Sequence, residues 1–261
     1  MSRMTSAPAP APWGHRCLSY DDPAAFETAA HDFLAEGLAA GERVWYIAAT
    51  PPSGWEFQPE LITLGDHYRL DGVVDPDEGV AAYAAVTERA LAEGRTGLRV
   101  AADATPLVRT AAQLDAFARY EHRVDRYMRD HPFSALCGYD RRALGVAACD
   151  ELACLHPESD AQFRLYATPA EVADAGLAGE LDDASRSLLA LALDRAEPSP
   201  AAGELVIDAT GLTFIDHNSL LDLDAYARRR GLTAVLRTRL FSAAHLAELL
   251  DLPSLRVERA G

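Results

Sequence analysis

The stretch FLAEGLAAGERVWYIA (33–48) contains both elements from which the fold is built. Its first part continues an apolar spacing of three and four residues that begins at Phe26, and Gly41 stands where a helix C-cap is expected. The segment RVWYIA that follows is apolar and rich in strand-forming residues. The stretch therefore predicts an amphipathic helix that ends at Gly41 and leads directly into a buried strand.

The same alternation of helix and strand extends through the first 160 residues. Further helices are predicted for GVAAYAAVTERALAEG (79–94), LDAFARYEHRVDRYMRDH (114–131) and ALGVAACDELACLH (143–156). Further buried strands are predicted around His15, for LRVAAD (98–103) and for SALCGYD (134–140). Strands that alternate with helices indicate a mostly parallel sheet with helices on both faces.

A polar segment, HPESDAQ (156–162), separates this half from a second patterned half. Strands are predicted for FRLY (163–166), AGLAGELD (175–182), GELVIDATGL (203–212), LTAVLRT (232–238) and LRVER (255–259). Helices are predicted for DASRSLLALALDRA (183–196), NSLLDLDAYARRRG (218–231) and SAAHLAELLDL (242–252). The chain is thus predicted to be α/β, with a disordered lead-in (1–12), a first domain (13–158) and a second α/β domain (163–259) of normal size.

The charge of the chain excludes several functions. The net charge is −16, and every one of the 24 basic residues is Arg. A chain with this much negative charge is repelled by nucleic-acid phosphates and anionic lipids. We therefore expect neither nucleic acid nor a membrane as a partner. The absence of lysine also excludes a lysine-dependent phosphate loop and covalent catalysis by a lysine amine. No serine-hydrolase, zinc-protease or dinucleotide motif is present, so we expect no enzyme activity.

The distribution of apolar residues and cysteines predicts a cytoplasmic protein. No apolar stretch approaches the length of about 20 residues that a membrane-spanning helix needs. The N-terminal residues have no apolar core of a signal peptide. The four cysteines, Cys17, Cys137, Cys149 and Cys154, lack paired spacing, so reduced thiols are expected.

The first half resembles the MEDS domain, a sensory domain first associated with the regulator of dichloromethane metabolism. The resemblance rests on GHRCLSYDD (14–22), FLAEGLAAGERVWYIA (33–48), LRVAAD (98–103), LDAFARYEHRVD (114–125) and ALCGYD…ACLHP (135–157). It implies a module that senses a small-molecule ligand. The same half also resembles the RecA/KaiC-like nucleotide-binding fold without its phosphate loop, because LSYDDPAAFE (18–27) has neither glycine nor lysine there.

Five residues of the resembled motifs are the candidates for ligand binding: His15, Tyr20, Glu121, Tyr139 and His156. Two histidines, an acid and a phenol are costly to bury without a partner, which favours a site over a purely structural role. Cys17 and Cys137 are interpreted as small buried hydrophobic residues. In open α/β sheets, a ligand pocket is expected at the carboxyl ends of the strands.

A zinc site and other cofactors are not expected. Cys149, Cys154 and His156 form the pattern C-x4-C-x-H, but zinc sites prefer cysteines that are closer in sequence. Residues five apart in a helix also do not share a face well.

The second half resembles the STAS domain of bacterial anti-sigma factor antagonists. The resemblance rests on AGLAGELDDASRSLLALAL (175–193), GELVIDATGLTFIDHNSLLDL (203–223) and LTAVLRT (232–238). It implies an anti-sigma factor or a related regulatory kinase as partner, docked on the turn formed by Asp216, His217, Asn218 and Ser219. His217 occupies the position at which the family is phosphorylated on serine or threonine, so the usual phosphate acceptor is absent.

These observations predict a bacterial regulator that senses a small ligand through its first domain and relays the signal through protein contact of its second domain. Two alternatives stay open: a vestigial nucleotide- or metal-binding protein, and a structural adaptor. The ligand is not identified, and a homo-oligomer is compatible with the sequence.

Overall fold

Five parallel strands form the first sheet in the computed structural model, which describes residues 14–68, 72–198, 200 and 203–260. The predicted lead-in (1–12) lies outside these described residues. The strands are β1 (His15–Tyr20), β2 (Arg43–Ile47), β3 (Glu60–Ile62), β4 (Leu98–Asp103) and β5 (Phe133–Asp140). Their spatial order is β1-β5-β4-β2-β3, so β1 and β4 flank β5.

Helices cover both faces of this sheet, as the sequence predicts. They are α1 (Pro23–Ala39), α2 (Leu64–His67), α3 (Pro76–Ala92), α4 (Ala111–Asp130), α5 (Arg141–Leu144) and α6 (Val146–Ala153). On one face, α1 packs Phe26, Phe33 and Leu34 against the sheet. Helices α3, α4 and α6 pack on the other face. The single closing helix that the sequence predicts is divided at Gly145, whose φ is 82°.

A second, mixed sheet forms the C-terminal half. Its strands are β6 (Phe163–Tyr166), β7 (Ala175–Leu181), β8 (Glu204–Ile215), β9 (Thr233–Thr238) and β10 (Leu255–Arg259). Their order is β10-β9-β8-β7-β6, and β6 runs antiparallel to β7 while the other pairs are parallel. The helices are α7 (Arg186–Ala196), α8 (His217–Arg229) and α9 (Phe241–Leu250).

The predicted α/β class is therefore confirmed in both halves. None of the helices in the described ranges combines the length and the apolar composition that a membrane span needs.

The two halves are packed against each other through a continuous apolar core. Polar contacts reinforce the packing: the Leu165 N–H donates to the Cys154 carbonyl at 2.7 Å. Arg195 on α7 is almost fully buried and pairs with Asp115 on α4 at 3.1 Å and with Glu151 on α6 at 2.9 Å. Only Arg195 is buried in these pairs, and a buried guanidinium without a partner is costly, so the contacts help to hold α4, α6 and α7 together.

We predict that Gly138→Ala destabilises the fold, because Gly138 on β5 lies directly beneath α1. A Cβ atom at Gly138 would lie 2.5 Å from the ring of the buried Phe26. Overpacking of this kind costs about 1–3 kcal/mol, measured as a lower midpoint of urea unfolding. Gly65→Ala is the matched control, since no atom lies within 4 Å of its added Cβ. Equal midpoints for the two variants would contradict the packing of α1 on β5.

Candidate functional site

Four of the five predicted ligand-binding residues meet on the α4 side of the first sheet. His15 lies on β1, Glu121 on α4, Tyr139 on β5, and His156 just beyond α6, and all four are fully buried. Residues two apart on a strand point to the same face, so Cys137 and Tyr139 both point toward α4. The convergence of these four residues agrees with the prediction from the sequence.

Glu121 is the centre of the cluster. Its Oε2 atom lies 3.0 Å from Nε2 of His15. Its Oε1 atom accepts a very short hydrogen bond from the hydroxyl of Tyr139. On the other side of the His15 ring, Nδ1 lies 3.5 Å from Oδ1 of Asp125, which also pairs with Arg129 at 3.2 Å. His15 is thus held between two buried carboxylates.

His156 and Cys137 complete the cluster. The rings of His156 and His15 have centroids 4.0 Å apart. Nδ1 of His156 lies 2.9 Å from the Leu152 carbonyl, which makes Nδ1 the protonated nitrogen and directs the lone pair of Nε2 toward Glu121 Oε2, 3.6 Å away. The Cys137 sulfur lies 3.5 Å from Nε2 of His15 and 3.8 Å from Oε2 of Glu121.

The protein environment shifts the pKa values of His15 and His156 in opposite directions. Burial opposes a charge on His15, but hydrogen bonds and charges from Asp125 and Glu121 outweigh it and raise its pKa to about 9. Burial and the neighbouring His15 lower the pKa of His156 to about 4. Burial alone would raise the pKa of Asp125, but its hydrogen bond to His15 and the charge of Arg129 lower it. At neutral pH, His15 is therefore charged and His156 is neutral.

A cavity of about 30 Å³ lies against this cluster, between the sheet and helices α3 and α4. His15, Glu121 and Cys137 form its polar wall. The remaining walls are apolar and aromatic and include Leu64, Tyr68, Tyr83, Val100, Phe117, Tyr120, Met128 and Ala135. A single water molecule needs a cavity of roughly 10–15 Å³, so this cavity accepts a molecule of only a few heavy atoms.

Tyr20, the fifth predicted ligand residue, does not belong to the cluster. Successive side chains of β1 point to opposite faces, so His15 and Tyr20 lie on opposite sides of the sheet. Tyr20 packs instead with Phe26 beneath α1. The structure does not bring Tyr20 to this cluster, and the alternation along β1 is the signal that could have separated it.

Two further residues of the site have signals in the sequence that the predictions did not use. Asp125 follows Glu121 by four residues on a helix, and such residues share a face. Cys137, interpreted as a small hydrophobic residue, alternates with Tyr139 and therefore faces the same cluster. Cys149, Cys154 and His156, which form the pattern C-x4-C-x-H in the sequence, do not come together as a group. The Cys154 thiol bonds instead to the Glu151 carbonyl. His156 joins His15, Glu121 and Cys137 instead.

The predicted docking turn of the second half is only partly at the surface. Asp216 caps α8, because its carboxylate accepts the Ser219 N–H at 2.7 Å. His217 is exposed and Asn218 is half-buried. Ser219 is fully buried, so its predicted place on the exposed rim was wrong. The helical period directs Ser219 toward the core, where Leu220 and Leu223 also lie.

Comparison with known families identifies the N-terminal half. Residues 14–157 match the model of MEDS, the methanogen/methylotroph DcmR sensory domain. The match ends within the polar segment between the two sheets. It includes the residues of the buried cluster, which are His15, Glu121, Asp125, Cys137, Tyr139 and His156. A comparison with curated proteins gives no significant match.

We predict that Tyr139→Phe destabilises the protein more than Tyr226→Phe. Both hydroxyls are buried donors, but Tyr139 donates to the ionised Glu121 and Tyr226 to the neutral Leu193 carbonyl. The expected losses are about 1.5–3 kcal/mol and about 0.5–1.5 kcal/mol, measured by urea unfolding. Equal losses would show that the carboxyl of Glu121 is not ionised.

Proposed function

The chain belongs to the MEDS family, and from this membership and the buried cluster we propose that it is a signalling regulator whose N-terminal half senses a small molecule. The observation that supports this proposal best is the small apolar cavity with a polar wall of His15, Glu121 and Cys137. Small-molecule sites have this character: an apolar lining with a few convergent polar groups. The size of the cavity favours a compact, uncharged ligand that accepts or donates one hydrogen bond.

The proposed relay to the C-terminal half passes through Asp125. One oxygen of its carboxylate faces His15, and the other accepts a hydrogen bond of 2.7 Å from the Ala167 N–H, directly after β6. A ligand that moves His15 therefore changes the position of a group bonded to the second sheet. The tight packing of α4 against α7 transmits the same displacement.

The proposed output is a contact between the C-terminal half and a regulatory protein. The resemblance of this half to the STAS domain favours an anti-sigma factor or a related kinase as the partner. The proposed docking surface consists of Phe214, Asp216, His217, Asn218 and Leu221. Phe214 and Leu221 are exposed apolar side chains on either side of the polar turn, as expected for a protein-binding surface. Because Ser219 is buried, we propose that docking does not depend on its phosphorylation.

We propose no catalytic role for the chain. At the place of a phosphate loop, the carboxylate of Asp22 accepts the Ala24 N–H at 3.0 Å and caps α1. A carboxylate at this position repels a phosphate and occupies an N–H group that would bind it. The proposed compartment is the cytoplasm, because Cys17, Cys137, Cys149 and Cys154 are free and buried.

We predict that Ala135→Val abolishes small-molecule binding by filling the cavity that Ala135 lines. Binding is measured by ligand-observed NMR with a panel of small alcohols, amines and haloalkanes. Ala29→Val on α1 is the control, since it adds the same volume on the opposite face of the sheet and leaves binding unchanged. Ligands that bind wild type and Ala135→Val equally would place the sensing site elsewhere.

We predict that Leu221→Gln weakens binding to an anti-sigma-type kinase of the same organism at least tenfold, or about 1.4 kcal/mol. Leu249→Gln on α9 is the matched control, because Leu249 is also an exposed helical leucine but lies outside the proposed surface. Affinity is measured by calorimetry. Two variants test the surface: the double variant His217→Ala/Asn218→Ala and the single variant Leu221→Gln. The surface is refuted if both bind the kinase as tightly as the wild type does.

A further inference from the structure

We propose that the buried cluster beside α4 is a binding site for one divalent transition metal ion, with Zn²⁺ as the best fit. The four donor atoms are His15 Nε2, Glu121 Oε2, Cys137 Sγ and His156 Nε2, which all lie within 4.8 Å of one another. The proposal rests on the geometry of this cluster and is independent of the sensory role.

Four of the six distances between the donor atoms are close to those of a tetrahedral site. Zinc bonds of about 2.0–2.1 Å to nitrogen or oxygen and about 2.3 Å to sulfur place tetrahedral ligands about 3.3–3.8 Å apart. Here Glu121 Oε2 lies 3.0 Å from His15 Nε2 and 3.6 Å from His156 Nε2. The Cys137 sulfur lies 3.5 and 3.8 Å from its neighbours in the cluster. All six distances are within 4.8 Å, so shifts of at most about 1 Å bring the four atoms around one ion.

The atoms behind the donors are arranged as in known metal sites. Ligating histidines usually donate their second ring N–H to a carboxylate or a backbone carbonyl, which orients the ring. Nδ1 of His15 faces Asp125, and Nδ1 of His156 faces the Leu152 carbonyl. Oε1 of Glu121 is held by Tyr139, which leaves Oε2 for the metal. Hydrogen bonds therefore orient His156 and Glu121, and an ion pair with Asp125 orients His15.

A proton on His15 can neutralise part of this cluster, but it leaves His156 unsatisfied. Within the described part of the chain, no hydrogen-bond donor reaches Nε2 of His156, although this atom is fully buried. Its lone pair faces the carboxylate of Glu121, and a buried acceptor in this position costs free energy. A metal ion between the two atoms satisfies both. It displaces the protons of His15 Nε2 and of the Cys137 thiol into solvent.

The charges of the group also balance with a divalent ion. Glu121, Asp125 and the Cys137 thiolate are negative, and Arg129, which contacts Asp125 at 3.2 Å, is positive. A divalent cation makes this buried group neutral, as a low-dielectric interior requires. A thiolate with two imidazoles and one carboxylate is a donor set that suits Zn²⁺ better than Mg²⁺ or Ca²⁺.

The test begins with the metal content of the full chain, purified without an affinity tag. We expect about one zinc ion per chain after gel filtration. We expect X-ray absorption at the zinc edge to show one sulfur ligand at about 2.3 Å and three nitrogen or oxygen ligands at about 2.0 Å. Replacement by Co²⁺ should give the intense ultraviolet band of thiolate coordination together with the visible bands of a tetrahedral site.

Variants then locate the site. Cys137→Ala and His156→Ala should each reduce zinc retention at least tenfold, whereas Cys149→Ala, another buried cysteine, should retain one equivalent. Circular dichroism shows which variants fold. If a variant does not fold, the X-ray absorption spectrum of the wild type still identifies the ligands. Wild type that holds less than a tenth of an equivalent and gives no thiolate band with Co²⁺ would refute the proposal. Two or more sulfur ligands, none at all, or loss of zinc in Cys149→Ala alone would refute it equally.

Discussion

The burial of two carboxylates around His15 is the constraint on which this structure depends. Glu121 and Asp125 are fully buried, and an unpaired charge at such a position costs several kcal/mol. Each must therefore be paired, and the partners come from separate parts of the chain: His15 from β1 and Tyr139 from β5. The same carboxylates lie on one helix, α4, so the pairing fixes the position of α4 on the sheet. Packing of apolar side chains alone would not determine this position as strictly.

The same constraint joins the two halves of the molecule. Asp125 has one oxygen toward His15 and the other toward the Ala167 N–H of the C-terminal half. Arg195 extends from α7 to pair with Asp115, also on α4. Helix α4 thus carries polar contacts to both sheets and belongs energetically to both. Asp125 therefore links the buried cluster directly to the C-terminal half.

Much of this architecture could be predicted from the sequence because the apolar periodicity is strong. The short β3 and α2 were missed, since three or four residues carry no measurable period. The convergence of His15 with Glu121, Tyr139 and His156 came from the family motifs, whereas the role of Asp125 did not. The role of Asp125 in joining the two halves depends on a long-range contact with Ala167, and no local sequence pattern encodes this contact. Local periodicity was sufficient to place Tyr20 and Ser219. The strand period places Tyr20 on the α1 side of the sheet, and the helix period places Ser219 in the core.

The polar groups of the cluster lie away from the place where open α/β sheets usually bind ligands. In open α/β sheets, ligands bind beyond the carboxyl ends of the strands, where helix N-termini attract anions. Here the N-terminus of α1 is capped by Asp22, and the functional groups lie inside, between the sheet and α4. A buried site excludes charged and large molecules, but it couples any ligand that enters to the packing around it. A ligand shifts a conformational equilibrium only by its difference in affinity between two states. A ligand in the cavity beside α4 would therefore reach the second half only by binding two positions of α4 with different affinities.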